Sequence, residues 1–195
     1  MPAESTGAAE PAAPEAEPAA VASAAASPSG WPVASARAPR QTLEVVSAEE
    51  LLARVRALGN KGTLVSAWAS WCGPCKRELP LHQTLAGRFA PRGIQVLLVS
   101  VDELDDREKA ELFLAEHGIA LKSYLAARPL GPFKLGLNPR WPGMLPASFL
   151  FDAGGTLRYY WGGEAFESEV VPVLDAFAAG KPIDGEADFA VAPGQ

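Results

Sequence analysis

Between residues 41 and 180 the chain alternates short apolar runs with longer stretches whose apolar residues recur at helical spacing. Gln41 to Val46, with Leu43, Val45 and Val46 apolar, predicts a short strand. Ser47 and Glu50 then stand in the S-x-x-E spacing of a capping box, in which each side chain satisfies a backbone N–H of the other residue. A helix should start there, with Leu51, Leu52, Val55 and Leu58 on one face and Gly59-Asn60 as its end. Thr63 to Trp68 is almost wholly apolar and predicts a central strand covered on both faces. The helical pattern after Cys72 carries Leu79, Leu81, Leu85 and Phe89, and Pro80 inside it should kink rather than end the helix. Pro91-Arg92-Gly93 closes that unit, and Ile94 to Val101 is the strongest strand pattern in the chain. Asp102 to Asp106 should cap the next helix, with Leu112 and Phe113 apolar and Gly118 as its stop. The order βαβαβα implies parallel strands joined by right-handed crossovers.

Residues 119 to 145 break this rhythm. A short strand at Leu121 to Leu125 precedes a stretch dense in Pro and Gly, Arg128 to Met144, which reads as an insertion. Ser148 to Asp152 and Thr156 to Trp161, separated by Ala153-Gly154-Gly155, predict a β-hairpin. A last helix is expected from Ser168 to Ala179, with Val170, Val171, Leu174 and Phe177 inward and Pro172 tolerated in its first turn. Gly180-Lys181-Pro182 stops it, and no internal repeat is present.

Composition bounds the rest. Residues 1 to 40 are mostly Ala, Pro, Glu and Ser, with no branched apolar residue before Val21, and cannot bury enough surface to offset their conformational entropy. They read as a disordered, Pro-extended tether, with an uncleaved leader or remnant of no role as the alternative, followed by one domain over 41–182 and a tail over 183–195. The net charge of -6 and pI near 5.0 give no electrostatic reason to bind nucleic acid or an anionic membrane surface. No apolar run is long enough for a membrane span. The N-terminus lacks a basic n-region and an apolar h-region, so the expectation is either a cytosolic protein or one whose targeting or anchoring segment has been removed.

The chemistry lies in the two cysteines, Cys72 and Cys75, at the junction of the second strand and its helix. The loop they close is too short to remove much unfolded-state entropy, so the pair is a poor staple. A helix N-terminus favours an anion, and the first thiol of such a pair typically has its pKa lowered to about 3.5–7.5. A metal site would need two further ligands, for which the chain offers only His82 and His117 as soft or borderline candidates, and both are expected to be structural. Redox chemistry is the favoured reading. Trp71 reads either as a shield and docking surface beside Cys72 or as a core aromatic. Trp141 and Met144 either line a substrate groove or pack the insertion onto the domain. Lys76 either stabilises the thiolate or is a solvated helix charge. Asp102 and Glu103 read as helix caps.

Trp68-Ala69-Ser70-Trp71-Cys72-Gly73-Pro74-Cys75 resembles the F/W-A-x-W-C-x-x-C signature of the TlpA/ResA-like thiol-disulfide reductases of the thioredoxin superfamily. Pro80 sits where those proteins have a helix-kinking proline, and Leu145-Pro146-Ala147-Ser148-Phe149-Leu150-Phe151-Asp152 resembles their cis-proline strand. The resemblance covers roughly Gln41 to Gly180. It implies an α/β thioredoxin fold: a central mixed sheet flanked by helices, an extra N-terminal strand and helix, and an insertion before the cis-proline strand. It implies further that Cys72 is the nucleophile and Cys75 the resolving thiol, and that Pro146 is cis beside Cys72. Trp71, Gly73, Pro74, Leu145 and Pro146 would bind substrate, with the Leu145 backbone pairing to an extended segment. Gly73-Pro74 resembles the reducing members, and cytochrome c maturation and metal-centre assembly are the implied pathways. The expected protein is a monomeric disulfide reductase, periplasmic or otherwise outside the cytoplasm, tethered or secreted, with the cytoplasm as the alternative. Its partners would be a disulfide-containing protein and an upstream thiol reductant, and no cofactor or metal is required. The runner-up is a metal-handling or scaffold protein that binds copper or zinc through the same dithiol. Two departures from the family pattern stand out. Ser66 occupies the position where a buried acid often sits, with a water or Glu78 as candidate substitutes, and Gly143-Met144-Leu145-Pro146 is one residue longer than usual.

Overall fold

The computed structural model describes residues 37–183, so the expected tether and tail lie outside the described residues except for 37–40 and Ile183. Those flanking residues are held to the domain: the Ala38 N–H donates to the Ala115 carbonyl at 3.0 Å, and Ile183 is buried.

In chain order the elements are β1 (Glu44–Val46), α1 (Ala48–Ala57), β2 (Gly62–Trp68), α2 (Gly73–Phe89), β3 (Ile94–Ser100), α3 (Arg107–Glu116), β4 (Ser123–Ala126), α4 (Leu130–Leu137), β5 (Ala147–Asp152), β6 (Leu157–Gly162) and α5 (Glu167–Ala178). The strands form one six-stranded sheet in the order β1-β4-β3-β2-β5-β6. The first four run parallel, while β5 is antiparallel to β2 and β6 antiparallel to β5. This is the mixed, helix-flanked thioredoxin-like sheet that the motif resemblance implies, with β1 and α1 as its N-terminal addition.

Every residue of β2 is buried. Successive strand side chains point to opposite faces, and accordingly Leu64 packs with Leu85, Phe89, Leu150 and Leu174, whereas Val65 packs with Leu51, Leu97 and Phe149. The apolar run therefore marks a strand with a core on each side, as its composition predicts. The capping box of α1 is present in full: Ser47 Oγ accepts from Glu50 N–H at 3.2 Å, and the Glu50 carboxylate accepts from Ser47 N–H at 2.7 Å. Pro80 lies inside α2 without ending it.

Several expectations need correction. The first strand begins at Glu44 rather than Gln41, because the Gln41 side-chain amide takes over the pairing, donating to the Leu121 carbonyl at 2.9 Å and accepting from Ser123 N–H at 3.1 Å. Asp102 does not cap a helix; a 3₁₀ turn at Leu104–Asp106 precedes α3, and the Asp102 carboxylate turns back toward Ser70. Pro172 lies in the second turn of α5, not the first, and the helix continues through it. Finally, the Pro- and Gly-rich insertion contains α4, which packs on α1. Its glycine content hid it: Gly136 lies so close to α1 that an added Cβ would stand 2.5 Å from the Ala48 Cβ. Glycine is here the cost of helix-to-helix contact rather than a turn signal. Leu58, assigned to the inner face of α1, is instead 45% exposed at the helix's C-cap.

Candidate active site

β2 delivers the chain to the site at its carboxyl end. The Trp68 carbonyl accepts from Val101 N–H at 2.8 Å, which keeps the strand paired to its last residue, and the Cys72 N–H closes a turn onto the Ala69 carbonyl at 3.0 Å. Between these, Ser70 is fixed to β3's end: the Asp102 carboxylate accepts from Ser70 N–H at 2.9 Å and from Ser70 Oγ–H at 2.7 Å. Asp102 is fully buried and also accepts from Ser100 Oγ–H at 2.6 Å, so its charge is met by three donors.

Cys72 is the N-cap of α2, and its sulfur accepts from Cys75 N–H at 3.2 Å. The first thiol thus stands where unpaired backbone N–H groups and the positive end of a 17-residue helix favour negative charge. Cys72 and Cys75 are joined in a disulfide, and both are buried, at 5% and 1% exposed. Gly73 is exposed and Pro74 half-buried above them. Trp71 is 67% exposed, so the core-aromatic alternative does not hold. Lys76 projects from the surface with its ammonium 5.1 Å from the centroid of the Phe113 ring.

The distant half of the site comes from β5. Ala147 pairs with Ala67 in the antiparallel register, so Pro146, one residue further, reaches the end of β2. The Leu145–Pro146 bond is cis, as the resemblance implies; a second cis bond, Arg128–Pro129, had no signal in the sequence. Leu145 is half-buried against the main core, and Met144 is 52% exposed. Trp141 does not line a groove. It is buried, donates its indole N–H to the Met144 carbonyl at 2.9 Å and meets Phe149 edge-on, so it packs the insertion onto the sheet.

Further along α2, and across to β2 and β5, lies a buried polar cluster. Ser66 and Ser148 are cross-strand partners and so share a sheet face. Ser148 Oγ is 3.2 Å from His82 Nε2, and His82 lies one turn beyond Glu78 on α2. Glu78, itself one turn beyond Cys75, is 4% exposed; its Oε1 accepts from Ala165 N–H at 3.4 Å and its Oε2 has no protein partner. Burial pushes the Glu78 carboxyl up to about 8, with the nearby Glu164 charge adding to the effect. Burial likewise pushes His82 down to about 4, so its ring is neutral. A buried acid is therefore supplied from α2, one turn beyond Cys75, and is linked through His82 to Ser148, the strand partner of Ser66. Sequence spacing gave weak notice of it, since a glutamate three residues beyond a thiol on a helix lies on nearly the same face. Among the described residues no group of three or more His, Cys, Asp or Glu side chains gathers as a metal site. His117 instead stacks on Phe113 and bonds its carbonyl.

The AhpC/TSA family model matches residues 35–160. Among named relatives, the chain is 32% identical over 155 residues to the thiol:disulfide interchange protein HelX of Rhodobacter capsulatus, covering 78% of this chain and 82% of that protein. It is 27% identical over 103 residues to the thiol-disulfide oxidoreductase ResA of Bacillus anthracis, covering 52% of this chain and about half, 54%, of that protein's length. A crystal structure of a thioredoxin-family thiol:disulfide interchange protein from Chlorobium tepidum superposes with a TM-score of 0.54 at 20% identity, covering 73% of this chain and 97% of that one, which establishes the shared fold.

Proposed function

The chain belongs to the AhpC/TSA family, and from that membership and its buried dithiol we propose that it is a thiol-disulfide oxidoreductase that reduces protein disulfides. The observation that carries this reading is the Cys72–Cys75 disulfide with Cys72 at the N-cap of α2. In the reduced protein the Cys72 thiolate attacks one sulfur of a substrate disulfide; the other substrate sulfur leaves as a thiolate, and a mixed disulfide forms. Cys75 then loses its proton and attacks the Cys72 sulfur. The second substrate sulfur departs as a thiolate, and the protein is left oxidised by two electrons. Glu78, held near 8, is matched to an ordinary thiol pKa of about 8.5, so proton transfer from Cys75 to its carboxylate is close to thermoneutral. In the return direction one thiolate of an upstream dithiol reductant attacks Cys72, the departing Cys75 takes the proton of the neutral Glu78 carboxyl, and the reductant's second thiol then displaces Cys72 as a thiolate and leaves as the reductant's disulfide. Two thiols and a carboxyl suffice, with no cofactor.

Trp71 and Met144, neighbours in sequence of Cys72 and Pro146, offer exposed apolar surface, and with Gly73, Pro74 and the Leu145 backbone they form the face for an extended substrate segment. The domain over 41–182 acts as a monomer on the end of the Ala/Pro-rich spacer of residues 1–40. Its setting is an extracytoplasmic one, where substrate disulfides form and persist. Cytochrome c maturation and metal-centre assembly fit the resemblance. Among the described residues no helix is long and apolar enough to cross a membrane.

The test is to mix the reduced Cys75→Ser protein with a disulfide-bonded protein and analyse the product by mass spectrometry. A stable mixed disulfide through Cys72 is expected. No adduct, together with stoichiometric copper or zinc binding by the unmodified dithiol, would overturn the reading in favour of a metal-handling protein. Equilibration of the pair against glutathione tests direction: a potential near about -120 mV, that of strong oxidants, would reverse it.

A further inference from the structure

The loop after β6, residues 163–166, touches both halves of the site, and disulfide exchange as written above makes no use of it. β5 begins at Ala147 opposite Gly162, the last residue of β6, so the chain leaves β6 at the end of the sheet where Pro146 lies. Gly163 donates its N–H to the Pro146 carbonyl at 3.0 Å. Its φ of +99° lies in the left-handed region, which glycine adopts without steric cost, and the chain turns there from the sheet toward α2. The next residue, Glu164, is gripped by Arg77: Nε–H donates to one carboxylate oxygen at 3.0 Å and Nη2–H to the other at 2.6 Å. Ala165, which is buried, then donates its N–H to Glu78 Oε1 at 3.4 Å. Arg77 and Glu78 follow Cys75 closely on α2, the helix that Cys72 caps. One short loop thus joins the backbone of the cis-proline strand to the helix that carries the dithiol.

Arg77 and Glu164 are 56% and 26% exposed, so their pair adds little to stability. Direction is what it supplies. Two parallel N–H···O bonds fix distance and angle together, which a single ammonium contact does not. We propose that Arg77 and Glu164 are positioning residues for disulfide exchange: their bidentate pair clasps the loop after β6 to α2 and so holds the Pro146 backbone in register with the dithiol for an extended polypeptide. The inference rests on the reading of the chain as a thiol-disulfide oxidoreductase. A polypeptide disulfide has to meet the Leu145–Pro146 backbone and the Cys72 sulfur at once, whereas a small disulfide needs only the sulfur. Loosening the clasp therefore penalises the first and spares the second.

Amide hydrogen exchange of the oxidised protein, followed by NMR, reads the clasp without any turnover: Arg77→Met and Glu164→Gln should each speed exchange of the Gly163 amide about tenfold. Stopped-flow oxidation of the reduced proteins reads the consequence. Each variant should react about fivefold more slowly with insulin, and at an unchanged rate with hydroxyethyl disulfide. The double variant should lose no more than either single one, because both residues act through one contact. An unmoved Gly163 amide in both variants, equal losses on the two disulfides, additive losses in the double variant, or a loss in Arg77→Met that Glu164→Gln does not share would each overturn the proposal. Unmodified reduced protein that reacts with neither disulfide would defeat the oxidoreductase reading itself, a failure that the amide exchange distinguishes from a missing clasp.

Discussion

Ser70 gives both its backbone N–H and its hydroxyl to the carboxylate of Asp102, 32 residues further along, at 2.9 and 2.7 Å. This pins the turn between β2 and α2 to the end of β3, and with it the direction in which Trp71 and Cys72 leave the sheet. Replacing Asp102 by Ala would strand the Ser70 and Ser100 donors in a fully buried place. The expected cost is about 2–4 kcal/mol, with a smaller loss for Asp102→Asn, which keeps an acceptor. Urea unfolding of the oxidised proteins measures it. If Asp102→Ala matched the unmodified protein in both stability and rate of disulfide exchange, the pinning role would be wrong.

Glu78 and His82 pull the pH dependence of stability in opposite directions. The Glu78 value rises from 4.5 to about 8 on folding, so its contribution is full below 4.5 and lost as pH rises through 8. The His82 value falls from 6.5 to about 4, so its contribution is full above 6.5 and lost as pH falls through 4. Between 4.5 and 6.5 the folded chain holds a proton on Glu78 and the unfolded chain one on His82, so the two contributions cancel. Between 6.5 and 8 only the folded chain keeps its proton, and stability should fall by roughly 2 kcal/mol. Glu78→Gln should abolish that fall and uncover the rise from pH 4 to 6.5 due to His82. Denaturant midpoints across this range decide it.

The contact between α4 and α1 depends on the absence of a side chain at Gly136. Gly136→Ala would set its Cβ 2.5 Å from the Ala48 Cβ and should cost about 1–3 kcal/mol. Ala48→Gly in the same chain removes the clash. The double variant should therefore be destabilised by less than the sum of the two singles, and thermal unfolding of all three checks the coupling.

Trp71, 67% exposed, contributes surface rather than core. Trp71→Ala should change stability by no more than about 0.5 kcal/mol. It should lower kcat/KM for a disulfide-bonded protein about tenfold, and less for a small disulfide that touches only the sulfurs. Equal losses on both substrates would remove Trp71 from the docking face.

What the sequence determined by itself was local or periodic. The Ser47/Glu50 box set the start of α1, the unbroken apolar run of Thr63 to Trp68 marked the doubly covered central strand, and the spacing of Cys72 and Cys75 at a strand-to-helix junction marked the chemistry. Each of these signals lies within one turn or one strand. The motif resemblance added Pro146 and its cis bond, which no periodicity could have predicted. The remaining features depend on partners far apart in the chain. Asp102 looks like a helix cap until Ser70 is seen to meet it, and Gln41 looks like a strand residue until its amide is seen to replace the strand pairing. The Gly-rich α4 looks like loop until α1 is laid against it. The spacing of Glu78 from Cys75 gives only weak notice of an acid there, and nothing in the local sequence fixes the charge states of Glu78 and His82. Their charge states follow from desolvation by β5 and the loop after β6, and desolvation is a property of the packed fold, not of local sequence.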